Sequence, residues 1–584
     1  MLFATMSPSR LLASCAVLAA LTGCNLWPER LGKIDLPAAD AAPSPRQPFA
    51  LESAPRTPAT RLEDDLERVR QLRAEDEGTM PRVVREAQGG LLAMSIAEVR
   101  RRALSDSLDL DVALFDPEVA RARVSAEEGR FDALIGARLR YVSRDTPALD
   151  GPITSFRSTD PQLDGQTVKF TEVPQTTERT DLGLGVTVPL PTGGRVALES
   201  VLDQKEIVEP DRYEQYLAGA RFSFSQPLLR NAGSDAAQAS IRLARADQRI
   251  SEVRTRLAAL RVLTDAEKAY WRLYLARRTL DVRSEQFRLA RENLELVERR
   301  VAEGITPTVE ITRAEVGVYR RVEALIRAET DWRLKQRDLK VRLGSDDLPL
   351  SGGPSIEVTT EPLLAGLDLD VDQLVDKALA ERLELIELEL GVVRDGIQVG
   401  YRENQVLPIA NLDFSYGLLD RDSSLDRALR AVPDGSHPDF AVGVSFEVPF
   451  TNQRQRALLD EAVLARARRL ASRNARELKV RQEVHDTVDI LQQNWQRVLA
   501  ARQSVVVAGV NYDAELRQFE QGMRTMREVL EALSDLGDSQ LAELRAIVDY
   551  QVAQIDVAFA TGTLLGHARV DLSPLAMPGF DPTR

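Results

Sequence analysis

The chain has 584 residues, a formal net charge of −14, 43% hydrophobic residues and 28% charged residues. That length exceeds one compact domain, and the hydrophobic content excludes a chain disordered throughout. The acidity excludes a nucleic-acid surface, which must neutralise phosphates.

Arg10 precedes an apolar run from Leu11 to Leu21, too short to span a bilayer and placed like an export signal. The run ends in Leu21-Thr22-Gly23-Cys24, which is similar to a bacterial lipobox. That similarity implies a signal peptide at 1–23, lipid on Cys24 and, with Asn25 following, sorting to the outer membrane. Cys15 lies inside the signal, which leaves no disulfide framework. Residues 24–90 are expected to form a lipid-anchored tether, because Pro37, Pro43, Pro45, Pro48, Pro55 and Pro58 keep it extended. Within it, the charged stretch 61–77 reads as a short exposed helix. No later stretch is long and apolar enough for a transmembrane helix, so any membrane-spanning part must be a closed β-barrel.

The remainder divides into two similar units, 91–345 and 369–566, with a linker at 346–368 and a tail at 567–584. Each unit reads helix, strands, very long helix, glycine turn, helix. The long helices, 234–302 and 452–520, contain no proline and each reach about 100 Å, more than a globular core uses. A single shift maps Leu273, Leu280, Phe287, Leu294 and Val301 onto Leu491, Val498, Val505, Tyr512 and Phe519. The step of seven is the coiled-coil period. A second stripe, Leu275, Val282, Leu289 and Leu296, lies about 200° away. A two-helix coil needs one seam; a helix in the wall of a tube needs two. The shorter helices, 93–134 with 308–343 and 369–407 with 526–565, match a long helix when stacked end to end.

The strands alternate. Val442, Val444, Phe446 and Val448 share one face, as do Leu412, Phe414, Tyr416 and Leu418, the pattern of a half-buried or lipid-facing strand. The first unit holds four candidates, near 135–143, 182–190, 194–202 and 216–226; the second holds 409–418 and 440–448. Thr192-Gly193-Gly194 is a hairpin turn, and a long loop, 146–179, precedes its first strand. After the long helices, Gly304 and Gly522 suit positive φ and chain reversal. Thr525 with Glu528 forms a capping box, and Thr306-Pro307 fits an N-cap followed by proline at the first helical position.

This order, with Ser225-Gln226-Pro227-Leu228-Leu229-Arg230 and Val448-Pro449-Phe450 entering the long helices and the turn from Gly522 to Ala532, resembles the TolC-like outer-membrane efflux family. The first turn departs from the family pattern by having Pro307 where Thr or Ser is usual. The resemblance implies a mainly α fold with a β-barrel portion: long antiparallel coiled-coil helices forming an α-barrel, membrane β-strands, and two structural repeats per chain. It implies a homotrimer that meets a periplasmic adaptor, and indirectly an inner-membrane pump, at its tips through Gly304, Thr306, Gly522 and Thr525. It further implies an entrance gate of Glu310, Arg524, Glu528 and Glu531, with Glu310 linked to Arg524 in the closed state. Family members usually contribute four strands per chain, so six candidates leave two arrangements: the trimer closes eighteen strands, or, the favoured expectation, the 182–202 hairpin stands outside the bilayer as an extension of the barrel.

No chemistry of bond-making is legible. His437, His485 and His567 are scattered without the spacing of metal ligands. Gly183-Leu184-Gly185 sits in a strand and opens no helix, Gly193-Gly194-Arg195 lacks the rest of a phosphate loop, and no nucleophile elbow occurs. The expectation is a passive outer-membrane channel, not an enzyme, without cofactor or metal. The alternative is an anchored periplasmic coiled-coil spacer without a pore.

Overall fold

A computed structural model describes residues 90–150, 171–207, 213–351, 353–434, 437–564 and 566. Cys24, the signal peptide, the tether with its charged stretch, the tail and residues 151–170 of the expected loop lie outside the described residues. The rest of that loop is strand.

Strand β1 (Leu91–Met94) leads into α1 (Ile96–Ser105) and α2 (Leu108–Glu128). Four strands follow: β2 (Leu134–Asp150), β3 (Thr171–Pro189), β4 (Arg195–Ile207) and β5 (Tyr213–Pro227). A short α3 (Ser234–Ala237) precedes the long α4 (Ala239–Ala302), then α5 (Val309–Leu343) and β6 (Ser355–Val358). The second half runs α6 (Val371–Glu381), α7 (Leu383–Val406), β7 (Ile409–Asp422), α8 (Leu425–Ala431), β8 (Pro438–Glu447), α9 (Gln453–Glu520) and α10 (Met526–Ala560).

Two expected helices are interrupted, each for a visible reason. The helix expected at 93–134 begins as β1, which pairs in parallel with β6 from the linker, and it breaks between α1 and α2. The left-handed Gly344 that ends α5 packs into that break, where a Cβ would lie 2.7 Å from the Asp106 carbonyl oxygen. The helix expected at 369–407 breaks at Arg382, whose extended backbone lets its buried guanidinium reach Glu384 (2.7 Å) and Glu483. Gly562, also left-handed, ends α10 against Glu381 at this second break. The short helices thus stack end to end.

Laterally, α4 packs between α5 with α2 on one side and α10 with α7 on the other, and α9 lies beyond α10 and α7. Burial follows this order. On α4 the first stripe is buried at Leu273, Leu280 and Leu294 and half-buried at Phe287 and Val301, and the second (Leu275, Val282, Leu289, Leu296) is half-buried throughout. On α9 burial reduces to one line through Val480, Val484, Val488, Leu491, Val498, Tyr512 and Phe519. Its other side leaves Leu499, Val506, Val507 and Val510 exposed, and the far edge of α2 and α5 leaves Val112, Phe115, Val119, Tyr319, Ile326 and Leu334 exposed.

The second layer is one six-stranded antiparallel sheet in the order β2-β3-β4-β5-β7-β8. Its register carries an apolar row straight across: Ile135, Val186, Leu198, Phe222, Tyr416 and Phe440 are successive cross-strand partners. Two residues along, Val188, Val196, Phe224, Phe414 and Val442 form a second row. The opposite face carries the small and charged residues, because side chains alternate along a strand. This corrects the expectation for the 182–202 hairpin. Leu184, Val186 and Val188 belong to the same apolar band as the other four strands, so the hairpin is no extension. Continuous hydrogen bonding to β2 and β5 holds it in the middle of the sheet.

Candidate functional site at the helical tips

The two turns that close the long helices share one geometry. At the first, Gly304 N–H donates to the Val301 carbonyl and Ile305 N–H to the Arg300 carbonyl, both at 2.9 Å. At the second, Gly522 N–H donates to Phe519 and Met523 N–H to Gln518, again at 2.9 Å. Both glycines have positive φ, 72° and 77°, so each helix ends in a Schellman motif, where glycine avoids the Cβ penalty. The residue after the glycine usually folds back onto its helix. Here Ile305 is 59% and Met523 63% exposed, so each tip presents a bare apolar side chain. Sequence reasoning passed over this pair; an apolar residue directly after each reversing glycine was the available signal.

Thr525 and Glu528 form the expected capping box: the Thr525 N–H donates to the Glu528 carboxylate at 2.9 Å. The Thr525 hydroxyl, bonded to the same carboxylate, holds the Glu528 carboxyl below its usual range. Thr306 does not cap. Its hydroxyl accepts from Arg300 Nε (3.3 Å), and α5 begins at Val309 without a side-chain cap. Arg300 ties the two tips together by also donating to the Glu520 carbonyl (2.7 Å) and lying over the Phe519 ring.

Glu310 is buried and pairs with Arg313. It also accepts from the Met526 N–H at 3.3 Å, placing a carboxylate at the N-terminus of α10, where the helix dipole favours it. Arg524 lies apart, donating to Gln518 (3.0 Å) and 3.5 Å from Glu515. Within one chain, therefore, Glu310 and Arg524 do not meet. Glu531 is exposed, three residues from Glu528 on the same helix.

Behind the tips, α4, α5, α9 and α10 enclose a polar layer. Asn293 donates to the Tyr512 hydroxyl (3.3 Å), and Arg321 donates to the Gly317 and Leu530 carbonyls at 3.1 and 3.3 Å. Burial lowers the pKa of that guanidinium. The Gln286 amide fills the space left by Gly537, where a Cβ would lie 1.3 Å from Nε2. Among the described residues no group of His, Cys, Asp and Glu is arranged to hold a metal ion.

The family described as "Outer membrane efflux protein" matches residues 203–345 and 374–563, more than half of the chain. The outer membrane efflux protein BepC of Brucella suis biovar 1 is 25% identical over 302 residues, covering 52% of this chain and 63% of that relative. Two solved outer membrane proteins share the fold. The CmeC outer membrane channel of Campylobacter jejuni has 15% identity and a TM-score of 0.58, covering 82% of this chain and 90% of that one. VceC of Vibrio cholerae has 17% identity and a TM-score of 0.57, covering 80% and 96%. The chain belongs to the outer membrane efflux protein family.

Proposed function

We propose that three copies of this chain form the exit duct of a tripartite efflux or secretion system, passing solutes delivered by an inner-membrane pump. The observation that carries this reading is the pattern of surface that one chain leaves uncovered. The sheet bears an apolar band on one face and has open edges at β2 and β8. The bare flanks of α9 and of α2 with α5 lie at the two lateral ends of the helical layer. A ring of copies pairs both edges and covers both flanks at once, and turns the apolar band outward to lipid. The two edge strands run antiparallel to each other, as an even strand number dictates, so β8 of one copy can pair with β2 of the next. Six strands from each of three chains make an eighteen-stranded barrel, of the class that encloses an aqueous lumen.

On this reading the helical layers of two structural repeats, 91–345 and 369–566, close into an α-barrel continuing the β-barrel. Cys24 carries the lipid and residues 24–90 tether it to the body. A periplasmic adaptor docks at Gly304, Thr306, Gly522 and Thr525, with Ile305 and Met523 supplying apolar contact. Glu528 and Glu531 ring the entrance, where carboxylates favour cations, and Arg524 meets Glu310 only across neighbouring chains. The spacer alternative has no use for a sheet with an apolar band and two open edges.

Purified protein should be trimeric by light scattering and should conduct ions in planar bilayers. A stable monomer that never forms channels overturns the reading and favours the spacer.

A further inference from the structure

The polar face of the sheet is not evenly charged. On β2 it carries Arg138, Arg140 and Arg144, all exposed, and among the described residues none of the three has an ion-pair partner. Arg138 lies across from Gly183, which offers no side chain. Arg140 lies across from Asp181, but that carboxylate is held by Arg179 at 2.8 Å, and the same arginine holds Asp203 at 2.7 Å. On the far edge, Asp439 sits 3.5 Å from Arg221. A second copy bringing β8 to the β2 edge adds to this face only that Asp439 and Glu447, the latter at the helix end of its strand. Lys205 and Arg421, on the same face, add further cations that have no carboxylate partner among the described residues.

Resting on the duct reading above, we infer that β2 carries an arginine ladder into the lumen and makes the barrel favour anions, so that the outer half of the duct suits solutes bearing carboxylate, sulfate or phosphate groups. Guanidinium stays charged at any working pH and matches planar oxyanions in two-point contacts. Arg138 and Arg140 stand about 7 Å apart on one strand face, within a Debye length at physiological salt, so their fields overlap, and Arg144, about 13 Å beyond Arg140, extends the positive wall toward the outer end of the strand. Threefold repetition turns one ladder into three that line a shared lumen. The acidic entrance at the tips acts in the opposite sense, but it lies at the other end of helices about 100 Å long, far beyond screening.

The test is reversal potential in planar bilayers under a potassium chloride gradient. Arg138→Gln, Arg140→Gln and Arg144→Gln combined should lower the chloride-to-potassium permeability ratio several-fold, with heat-stable trimers still forming. The corresponding triple lysine variant should keep the wild-type ratio, because it keeps the charge. Glutamine-variant channels with an unchanged ratio overturn the ladder. Wild-type trimers that form no channels overturn the duct itself, a separate outcome.

Discussion

At Glu310 two roles are separable. Within a chain its carboxylate accepts the Met526 N–H and pairs with Arg313; across chains it is proposed to hold Arg524. Glu310→Ala removes a helix-terminal acceptor and should cost about 1 kcal/mol of tip stability, seen as faster amide exchange at Met526. Glu310→Gln keeps an acceptor oxygen and should leave exchange nearly unchanged. A link to the exposed Arg524 guanidinium is worth about 0–1 kcal/mol, and three of them bias a closed state by about 1–3 kcal/mol. Arg524→Ser should therefore raise single-channel open probability on intact trimers, and in a double-mutant cycle with Glu310→Gln the effects should be non-additive. Strict additivity removes the lock. Glu528→Gln preserves the capping box, which accepts either residue, so together with Glu531→Gln it should lower cation preference without unfolding the tip. The lowered carboxyl of Glu528 adds stability that is full above the ordinary glutamate range and lost only as pH falls through the depressed value.

Among the elements, α10 tests how tightly the helical layer is built. Gly537→Ala improves helix propensity by about 1 kcal/mol, yet its Cβ meets the buried Gln286 amide. Overpacking of this kind costs about 1–3 kcal/mol, so the variant should melt lower than wild type, and adding Gln286→Ala should restore it. On the bare flank of α9, Val506→Asp with Val510→Asp should abolish trimers on a sizing column while leaving helix content unchanged. Lost helix content instead of lost assembly refutes the flank as an interface. Much of this layer was legible, because heptad spacing and the absence of proline specify long helices whatever surrounds them. The breaks at Asp106 and Arg382 were not. Neither has a breaker residue, and each depends on a distant partner, Gly344 or Glu483, that only the folded chain brings near. All six strands were found, since alternation is local, but β2 runs seven residues past its expected end and β3 starts eleven residues before its expected start, both inside the expected 146–179 loop. Their register is not local, and with it the place of the 182–202 hairpin was misread. In the candidate site, the glycines and the capping box declared themselves by residue type. Glu310 did not show its intrachain partner, because Met526 lies more than 200 residues away and contributes a backbone group common to every residue.

For the whole molecule, attachment to the membrane has two proposed sources, the lipid on Cys24 and the apolar band of the sheet. Cys24→Ser should abolish labelling by a radioactive fatty acid and leave the signal poorly processed. Labelling equal to wild type refutes the lipobox. The open edges of the sheet also govern how such a duct could be made. β2 and β8 each leave a row of amide and carbonyl groups without partners among the described residues of a single chain, and hydrocarbon offers those groups nothing to bond. A lone chain therefore cannot dissolve its apolar band in lipid without stranding both edges there, and it cannot remain long in water with the band exposed. Insertion and association become one event, whose rate climbs more steeply than the first power of chain concentration. A lipid tether that confines copies to one leaflet then acts on kinetics before it acts on anchorage, by turning a rare three-body meeting in solution into a frequent one in a plane.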